Sequence, residues 1–384
     1  MTLLKRLSQV AVEIESVEGT AETLVAADAT QLVYGPTYTP DIGRFNRDPA
    51  RAYLSKLDAV IGNQMARIAW RTELKGSGVV GTEPAWSDAL EACGFQKLAV
   101  SLITIGAVAG GPFTPGESLL GGTSAATGIV LGEIENGDAA VRMYSTTGTW
   151  ESAETITGGT SGASATTSST ETTDQGFVYI PDSSSPASVT VALFQNGLKK
   201  MIHGARGNVR VACVGGEPAF LDFDFQGVYN APTDTALLAP TYETTVPPAF
   251  LSVDLALLDY TAACFGSLDV DMSNTLTPRE CASLAKGVSS VFITDRDPGG
   301  AIDPEMALVA THDFYGSLVA GTTGYLACEL GSVAGNVIVI AAPRVQYANV
   351  GDGDRGGIAV ASLDLEFKGS GINAGDDEIQ LAMI

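Results

Sequence analysis

The sequence predicts a mainly β protein with two related β-sandwich or barrel domains, one flanking helix and a small β insert. The first reason is composition, because Gly, Thr, Ser and Val are abundant in the 384 residues whereas helix-forming stretches are scarce. The second is a glycine-closed strand pattern that recurs as RTELKGSG from Arg71, FDFQG from Phe223, THDFYGS from Thr311 and DLEFKGSG from Asp364. Convergence on a common strand-and-turn formula is the alternative explanation.

The recurring stretches alternate apolar and polar residues, as half-buried strands do. In the first, Ile68, Trp70, Thr72 and Leu74 share one face, whereas Arg71 and its alternate neighbours share the other. The stretches FDFQG and DLEFKGSG are assigned the same plan, with Leu221, Phe223 and Phe225 inward in one and Leu363, Leu365 and Phe367 inward in the other. The core side chains predicted on these strands are Trp70, Leu74, Phe223, Phe225, Phe314, Leu365 and Phe367.

An internal duplication is the interpretation that explains the spacing of these stretches. RIAWRTELKGS aligns without a gap on ALVATHDFYGS, which pairs Leu74 with Phe314 and Gly76 with Gly316. A long irregular segment beginning with Thr-Pro and containing Arg and Pro precedes the strand in each half. We therefore predict one domain over residues 1–235 and a second over residues 236–384, with a Pro-rich and Thr-rich linker at about residues 231–248.

One helix and one insert stand out within the first domain. TEPAWSDALEACGF predicts a helix from about Thr82 to Gly94 that covers one face of a sheet. Residues 116–174 predict a small β module, because GESLLGGTSAATG is echoed by SAETITGGTSGASA with Glu117 matching Glu154. ENGD predicts a hairpin turn in this module, and TTSSTETTD after it predicts a polar, mobile linker.

Charge and composition exclude several classes of function. A net charge of -23 makes binding to the outside of DNA or to an anionic membrane improbable, since phosphate neutralisation needs clustered Lys and Arg. Simple solubility is an equally good explanation of the acidity. Apolar runs fall far short of the roughly 20 residues of a membrane helix, so no membrane insertion is expected. Five widely spaced cysteines without a CxxC motif favour a reducing compartment.

The sequence contains no recognisable catalytic, cofactor-binding or metal-binding motif, and we predict none of these functions. The two histidines, His203 and His312, lack metal-ligand spacing and are predicted to be structural. GDGDRGG near Asp352 lacks the Glu that a calcium loop places twelve positions along, so a hairpin tip is the better interpretation.

Positive charge is concentrated on the two long loops of an otherwise acidic chain. The basic residues concerned are Arg44, Arg47, Arg51 and Lys56 in the first half, and Arg279, Lys286 and Arg296 in the second. Contact with acidic groups on neighbouring subunits is one interpretation, and merely solvated loop residues are the other.

Taken in order, several of these motifs resemble the tail tube (major tail) proteins of tailed bacteriophages. The similarity lies in VAVEIESVEGTAE, PTYTPDIGRFNRDPARAYLSK, RTELKGSG, PAWSDALEACGF, GARGNVRVACVGGEPAFLDFDFQGVYNAPTD and DMSNTLTPRE followed by VFITDRDPGGAIDPE. It spans most of the chain except the insert. The order and spacing of the motifs carry the resemblance, since each motif alone is weak.

The resemblance implies a virion structural protein with two tube-type β domains. Its subunits would assemble into stacked rings around a channel for the phage genome, so the partners are other copies of the chain, other tail proteins and DNA in passage. The expected location is the virion tail, after synthesis in the host cytoplasm. Two tube domains per chain favour a trimeric ring over a hexameric one, and the loop residues Arg44, Arg47 and Arg51 are candidates for contacts between rings. The alternatives are another tail component, with one tube domain or at the tube's end, and a β-rich adhesin or binding module.

Overall fold

A computed structural model describes residues 3–258, 260, 264–372 and 375–384 of the chain. The protein is mainly β, as the sequence predicts. The first elements are β1 (Ser8–Ile14), a 3-10 turn (Ala26–Ala29), β2 (Val33–Phe45), β3 (Val60–Glu73), α1 (Ser87–Glu91) and β4 (Phe95–Thr104). The insert contributes β5 (Ser118–Gly121), β6 (Thr127–Val130), β7 (Ala140–Thr147), β8 (Thr155–Gly158) and β9 (Ser164–Thr166).

The remaining elements form the rest of the two halves. The next five strands are β10 (Thr172–Pro181), β11 (Val189–Gln195), β12 (Leu198–Val214), β13 (Phe220–Tyr229) and β14 (Thr233–Asp234). The C-terminal half contains β15 (Asp254–Leu257), β16 (Phe265–Asp271), β17 (Thr275–Glu280), β18 (Val288–Asp295), β19 (Gly299–Pro304), α2 (Phe314–Ala320), β20 (Thr323–Leu330), β21 (Ile338–Arg355), β22 (Ile358–Phe367) and β23 (Gln380–Met383).

The central feature is an antiparallel sheet of eight strands in the order β2, β3, β13, β12, β16, β19, β22, β21. The first four strands form one group and the last four form another. In each group, the strands that come first, second, fourth and third along the chain lie side by side in that order. We call them the N-terminal unit (β2, β3, β13, β12) and the C-terminal unit (β16, β19, β22, β21). This shared arrangement favours the predicted duplication.

The strands β13 and β22 occupy equivalent places in the two units. β13 carries LDFDFQG from Leu221, and β22 carries LDLEFKG from Leu363. Phe223 lies opposite Trp70 on β3, and Leu365 lies opposite Gly300 on β19. The structural counterpart of β3 is therefore β19.

The predicted alignment of RTELKGS with THDFYGS is wrong. The second stretch begins helix α2, because the Asp313 side chain accepts a hydrogen bond of 2.8 Å from the N–H of Gly316 and caps the first turn. Phe314 is buried in the main core, but on this helix and not on a strand. The true counterpart of Trp70 is Gly300, so the second half lacks the aromatic signal that would have marked its strand.

One face of the eight-stranded sheet forms the main hydrophobic core. The predicted side chains Trp70, Leu74, Phe223, Phe225, Leu365 and Phe367 are all buried there. Trp70 stacks on Phe225 with ring centroids 5.2 Å apart, and its indole N–H donates to Gln31 at 2.9 Å. The predicted alternation of faces on these strands is confirmed. Lys75 is the exception, since it is buried beside Glu73 with its Nζ 3.0 Å from the carboxylate.

Further strands cover this core. β1 pairs with β11, which pairs with the first part of β12, while β15, β20 and the first part of β21 repeat the arrangement in the second half. β23 pairs with β21 on one side and with β10 on the other, and β10 pairs in turn with β4. The long strands β12 and β21 therefore each belong to both layers.

Helix α1 is shorter than predicted, although its packing is as expected. Trp86, Leu90 and Cys93 are buried, and Gly94 ends the segment with a φ of 88°. Residues before Ser87 form turns, so the regular helix covers only the middle of the predicted segment.

Three carboxylates lie together at α1, from Glu83 ahead of the helix and from the half-buried Asp88 and Glu91 on it, with oxygen atoms within 4.8 Å of one another. Lys97 Nζ lies 2.8 Å from both glutamates. Burial, with repulsion from Glu91, raises the pKa of Asp88 from 3.8 to about 6. The folded state therefore keeps this proton to a higher pH than the unfolded state.

Substituting Asp88→Asn tests this pKa. Folding stability from the protonated carboxyl is present below about pH 4 and is lost as the pH rises through about 6. The variant removes the charged form, so we expect its free energy of unfolding to exceed that of the wild type by about 1–2 kcal/mol at pH 7 and to match it at pH 4. Urea unfolding at both pH values measures the difference. Equal stability at pH 7 would contradict the assignment.

The insert has its own hydrophobic core, centred on Phe113, Trp150 and Ile156. Its internal echo is reciprocal: Glu117 accepts hydrogen bonds from the N–H groups of Thr160 and Ser161, and Glu154 accepts them from those of Thr123 and Ser124. Each glutamate thus holds the GGTS turn of the other half. The core also includes Ile103, Ile105 and Val108, so the module begins before residue 116.

Other sequence predictions can be compared with the structure directly. Residues 235–248 of the predicted linker contain no regular secondary structure. TTSSTETTD runs partly into β9 and β10. GDGDRGG forms the hairpin between β21 and β22, as predicted.

All five cysteines are free. His312 Nε2 lies 3.0 Å from the Tyr347 hydroxyl, next to the ring of Phe314. In the part of the chain that is described, no helix is long and apolar enough to cross a membrane.

Candidate assembly interface

The eight-stranded sheet ends in two open edges. β2 pairs only with β3, and the part of β21 after Tyr347 pairs only with β22, when all described strands are considered. Unpaired main-chain groups on such edges form a template for another strand. One edge belongs to each unit, so the two edges are different and lie at opposite ends of the sheet.

The contact between the two units shows how such edges pair. β12 of the N-terminal unit pairs with β16 of the C-terminal unit, and Arg210 lies opposite Asp271. The Arg210 guanidinium lies 3.0 Å from the carboxylate of Asp269, and the Asn208 amide donates to Asp271 at 2.8 Å. This internal joint therefore combines a main-chain ladder with charge pairing.

The two open edges are the counterparts of the strands in this joint. β21 occupies in the C-terminal unit the place of β12, and β2 occupies in the N-terminal unit the place of β16. Following the pairs across each unit, Asn349 takes the place of Arg210, since they lie opposite Asp364 and Asp222. Thr37 takes the place of Asp271, because Thr37 lies opposite Ala69 and Asp271 lies opposite Gly299. Ala69 and Gly299 are equivalent, since each precedes one residue of the equivalent pair Trp70 and Gly300. A joint between two copies would then bring Asn349 opposite Thr37.

The face of the sheet that points away from the core is charged and mostly acidic. Its arginines are Arg67, Arg71 and Arg210, and its carboxylates are Asp222, Asp224, Asp269, Asp271, Asp364 and Glu366. Each arginine is bound to one of these aspartates. Positive charge on this face is thus neutralised in pairs, and carboxylates remain in excess.

A second contact between the units is made by the β17–β18 hairpin. This hairpin connects β16 to β19 but packs on the N-terminal unit, where Val288 and Val291 contact Met65 and Val228. Arg206 on β12 is buried where the hairpin meets the N-terminal unit. It donates to the carbonyl of Val291 at 2.6 Å and lies 4.9 Å from the ring centroid of Phe292. It also donates to the carbonyl of Pro186 at 2.8 Å and lies 3.1 Å from the carboxylate of Glu18.

The equivalent connection of the N-terminal unit is exposed. We call residues 44–61, the loop between β2 and β3 with the paired strand ends that flank it, the β2–β3 arm. It carries the predicted basic residues Arg44, Arg47, Arg51 and Lys56, all exposed. Its apolar side chains are exposed as well: Phe45 is 66% accessible, Tyr53 76% and Leu54 105%.

The basic residues predicted in the second half lie on the β17–β18 hairpin or directly after it, and not on an exposed arm. Arg296 forms ion pairs with Asp376 and Glu378 of its own chain. Lys286 donates to Asn230 at 2.8 Å. Arg279 is exposed, with its guanidinium 5.8 Å from the Phe292 ring. The structure therefore does not bring the two predicted basic groups together, because the first extends into solvent whereas Arg296 and Lys286 of the second bind groups of their own chain.

Two further arginines were missed by the sequence interpretation. Arg206 and Arg344 occupy equivalent places on β12 and β21, opposite Gln226 and Lys368. Arg206 is buried, whereas Arg344 is exposed and donates only a long hydrogen bond, of 3.4 Å, to Ser370 among its described contacts. Each arginine follows a small residue or proline in a strand, which is too weak a signal to select them.

No protein-family model matches the sequence, and no curated protein matches it. The function is therefore inferred from the geometry of these edges, faces and loops.

Proposed function

We propose that this chain is a structural subunit that assembles with copies of itself into rings and then into a tube, as a tail tube protein of a tailed bacteriophage. One observation carries the proposal: two equivalent sheet units are already joined edge to edge within the chain, and the strands that would repeat that joint are left open. Pairing β21 of one copy with β2 of the next removes both open edges. A closed ring results when the rotation per copy divides a full turn.

The charged face of the sheet supports a role as a conduit for DNA. In a closed barrel whose core faces outward, this face lines the bore. Its arginines are each bound to a carboxylate, so no unpaired cation among the face residues named above would hold a phosphate backbone. Excess carboxylates would repel DNA and let it slide.

Two units per chain favour three copies in a ring, which has true threefold and approximate sixfold symmetry. A hexamer in which only one unit of each chain lines the bore is the competing arrangement. Stacking of rings would be head to tail, with the loops of one ring meeting the opposite face of the next.

Electron microscopy tests the proposal directly. Negative-stain images of the purified chain are expected to show rings or tubes. Class averages viewed down the axis are expected to show three outer protrusions, one insert per chain, whereas six would establish the hexamer. A strictly monomeric protein at high concentration would refute the proposal.

The insert is expected to be dispensable for ring formation. Its two ends are adjacent, since the N–H of Ser168 donates to the carbonyl of Thr104 at 2.8 Å, as for a module looped out of a host fold. Residues 106–168 can be replaced by a short Gly-Ser link, with Ile103 and Ile105 changed to Thr because the deletion exposes them. Rings that lack outer protrusions are the expected result. Loss of rings from a protein with native circular dichroism would place the insert in the interface.

A further inference from the structure

The β17–β18 hairpin and the β2–β3 arm occupy equivalent places, but only the hairpin has a docking site within the chain. Both connect the first two strands of a unit. The hairpin turns over the neighbouring unit and buries Arg206. The arm extends into solvent.

The docking site of the hairpin has an equivalent on the C-terminal unit, and that site is uncovered. Arg344 replaces Arg206 on β21, next to the open edge. A groove beside it is lined by Thr323, Tyr325, Pro343 and Ser370, and also by the insert residues Thr114, Pro115, Gly116, Glu117 and Thr160. An arginine side chain can donate to a carbonyl and stack on an aromatic ring at once, as Arg206 does with Val291 and Phe292.

The arm has the chemistry and the bend to fill this site. Phe45, Tyr53 and Leu54 supply exposed apolar and aromatic surface. A register shift between Ile42 and Arg44 places a bulge at the base of the arm, around Gly43, and bulges are positions where a strand pair bends. The hairpin of the C-terminal unit leaves its sheet earlier, after Asp271, which is the counterpart of Thr37.

We propose that the β2–β3 arm of one copy docks on the C-terminal unit of the neighbouring copy and covers Arg344, as the β17–β18 hairpin covers Arg206 inside the chain. The occupant of the site is a second copy of this chain, the one whose β2 pairs with β21. The inference rests on the proposed ring assembly and specifies its second contact. The arm then acts within a ring, alongside the sheet joint.

Photo-cross-linking locates the arm. A benzophenone amino acid replaces Leu54 in the full-length protein, and unlabelled and isotope-labelled copies are mixed before assembly and irradiation. We expect cross-linked peptides that join residue 54 of one copy to the segment around Arg344 of the other. The same probe at Val333, which is also an exposed apolar residue, is the control and is expected not to label that segment.

The substitution Arg344→Glu tests the energetic role of the contact. We expect the critical concentration for ring formation to rise at least tenfold while the circular dichroism and melting of the monomer stay unchanged, because Arg344 is exposed in the isolated chain. Lys5→Glu, an exposed charge reversal outside the sheet and the arm, is the control and is expected to change it less than twofold.

The outcomes separate the two proposals. Rings whose arm probe labels another site, or rings unaffected by Arg344→Glu, overturn the docking of the arm and leave ring assembly intact. Absence of any assembly in the wild type overturns both.

Discussion

Replacing Trp70 by alanine is expected to lower the free energy of unfolding by about 3–5 kcal/mol, the usual cost of removing a buried aromatic side chain. Trp70 is 3% exposed and lies between Phe223 and Phe225. Its loss also leaves the buried amide of Gln31 without the indole N–H. Urea unfolding followed by far-ultraviolet circular dichroism measures the change.

Trp150 provides the matched control for this experiment. It is equally buried, but in the separate core of the insert. Trp150→Ala is expected to remove hydrogen-exchange protection within the insert and to leave the unfolding of the main core nearly unchanged. A loss below about 1 kcal/mol for Trp70→Ala, or equal effects of the two substitutions on the main transition, would contradict the assignment of Trp70 to the core that joins the sheet layers.

The charges at positions 37 and 349, which face each other in the proposed joint, are expected to control ring assembly. Placing aspartates at both Asn349 and Thr37 would set like charges directly opposite each other in the joint between copies, which costs up to about 1 kcal/mol for each pair. We expect the critical concentration for ring formation to rise about fivefold or more. Combining Asn349→Arg with Thr37→Asp copies the internal Arg210 and Asp271 pair and is expected to restore or strengthen assembly.

A double-mutant cycle separates the register from general effects of charge. The three single variants (Asn349→Asp, Asn349→Arg and Thr37→Asp) and the two double variants are compared with the wild type by sedimentation velocity at about 0.05 M and 0.5 M salt, since exposed pairs weaken as salt rises. The coupling between positions 37 and 349 should change sign with the sign of the charge product. Additive effects would show that these two residues do not face each other across the joint.

Much of the fold could be predicted because the alternation of polar and apolar residues is local information. The strand faces around Trp70, Phe223 and Leu365 follow from a period of two, and Gly94 ends the helix segment because it adopts a left-handed backbone. The sequence repeat that pairs Glu117 with Glu154 could also be recognised, because it too is local information. Its structural basis, a reciprocal capture of the two GGTS turns, required the three-dimensional arrangement.

The alignment of THDFYGS with a strand failed because its residues suit two local structures. Asp313 can cap a helix, and the aromatic that follows it is as well buried on a helix as on a strand. The strand that takes the place of β3 carries Gly300 opposite Leu365, and Phe367 occupies the space next to it. Nothing in the sequence of that strand resembles RTELKGS.

The sequence by itself determined the β class, the strand faces, the internal repeat of the insert and the concentration of basic residues on the first long loop, since each of these depends on neighbouring residues. Only the tertiary structure decided which strands are equivalent, which edges are open and which arginine is covered. Arg206 and Arg344 are chemically the same in the sequence. They differ because the β17–β18 hairpin, together with Glu18 and Pro186, covers Arg206, whereas Arg344 is exposed. Such long-range contacts are set by packing between distant segments.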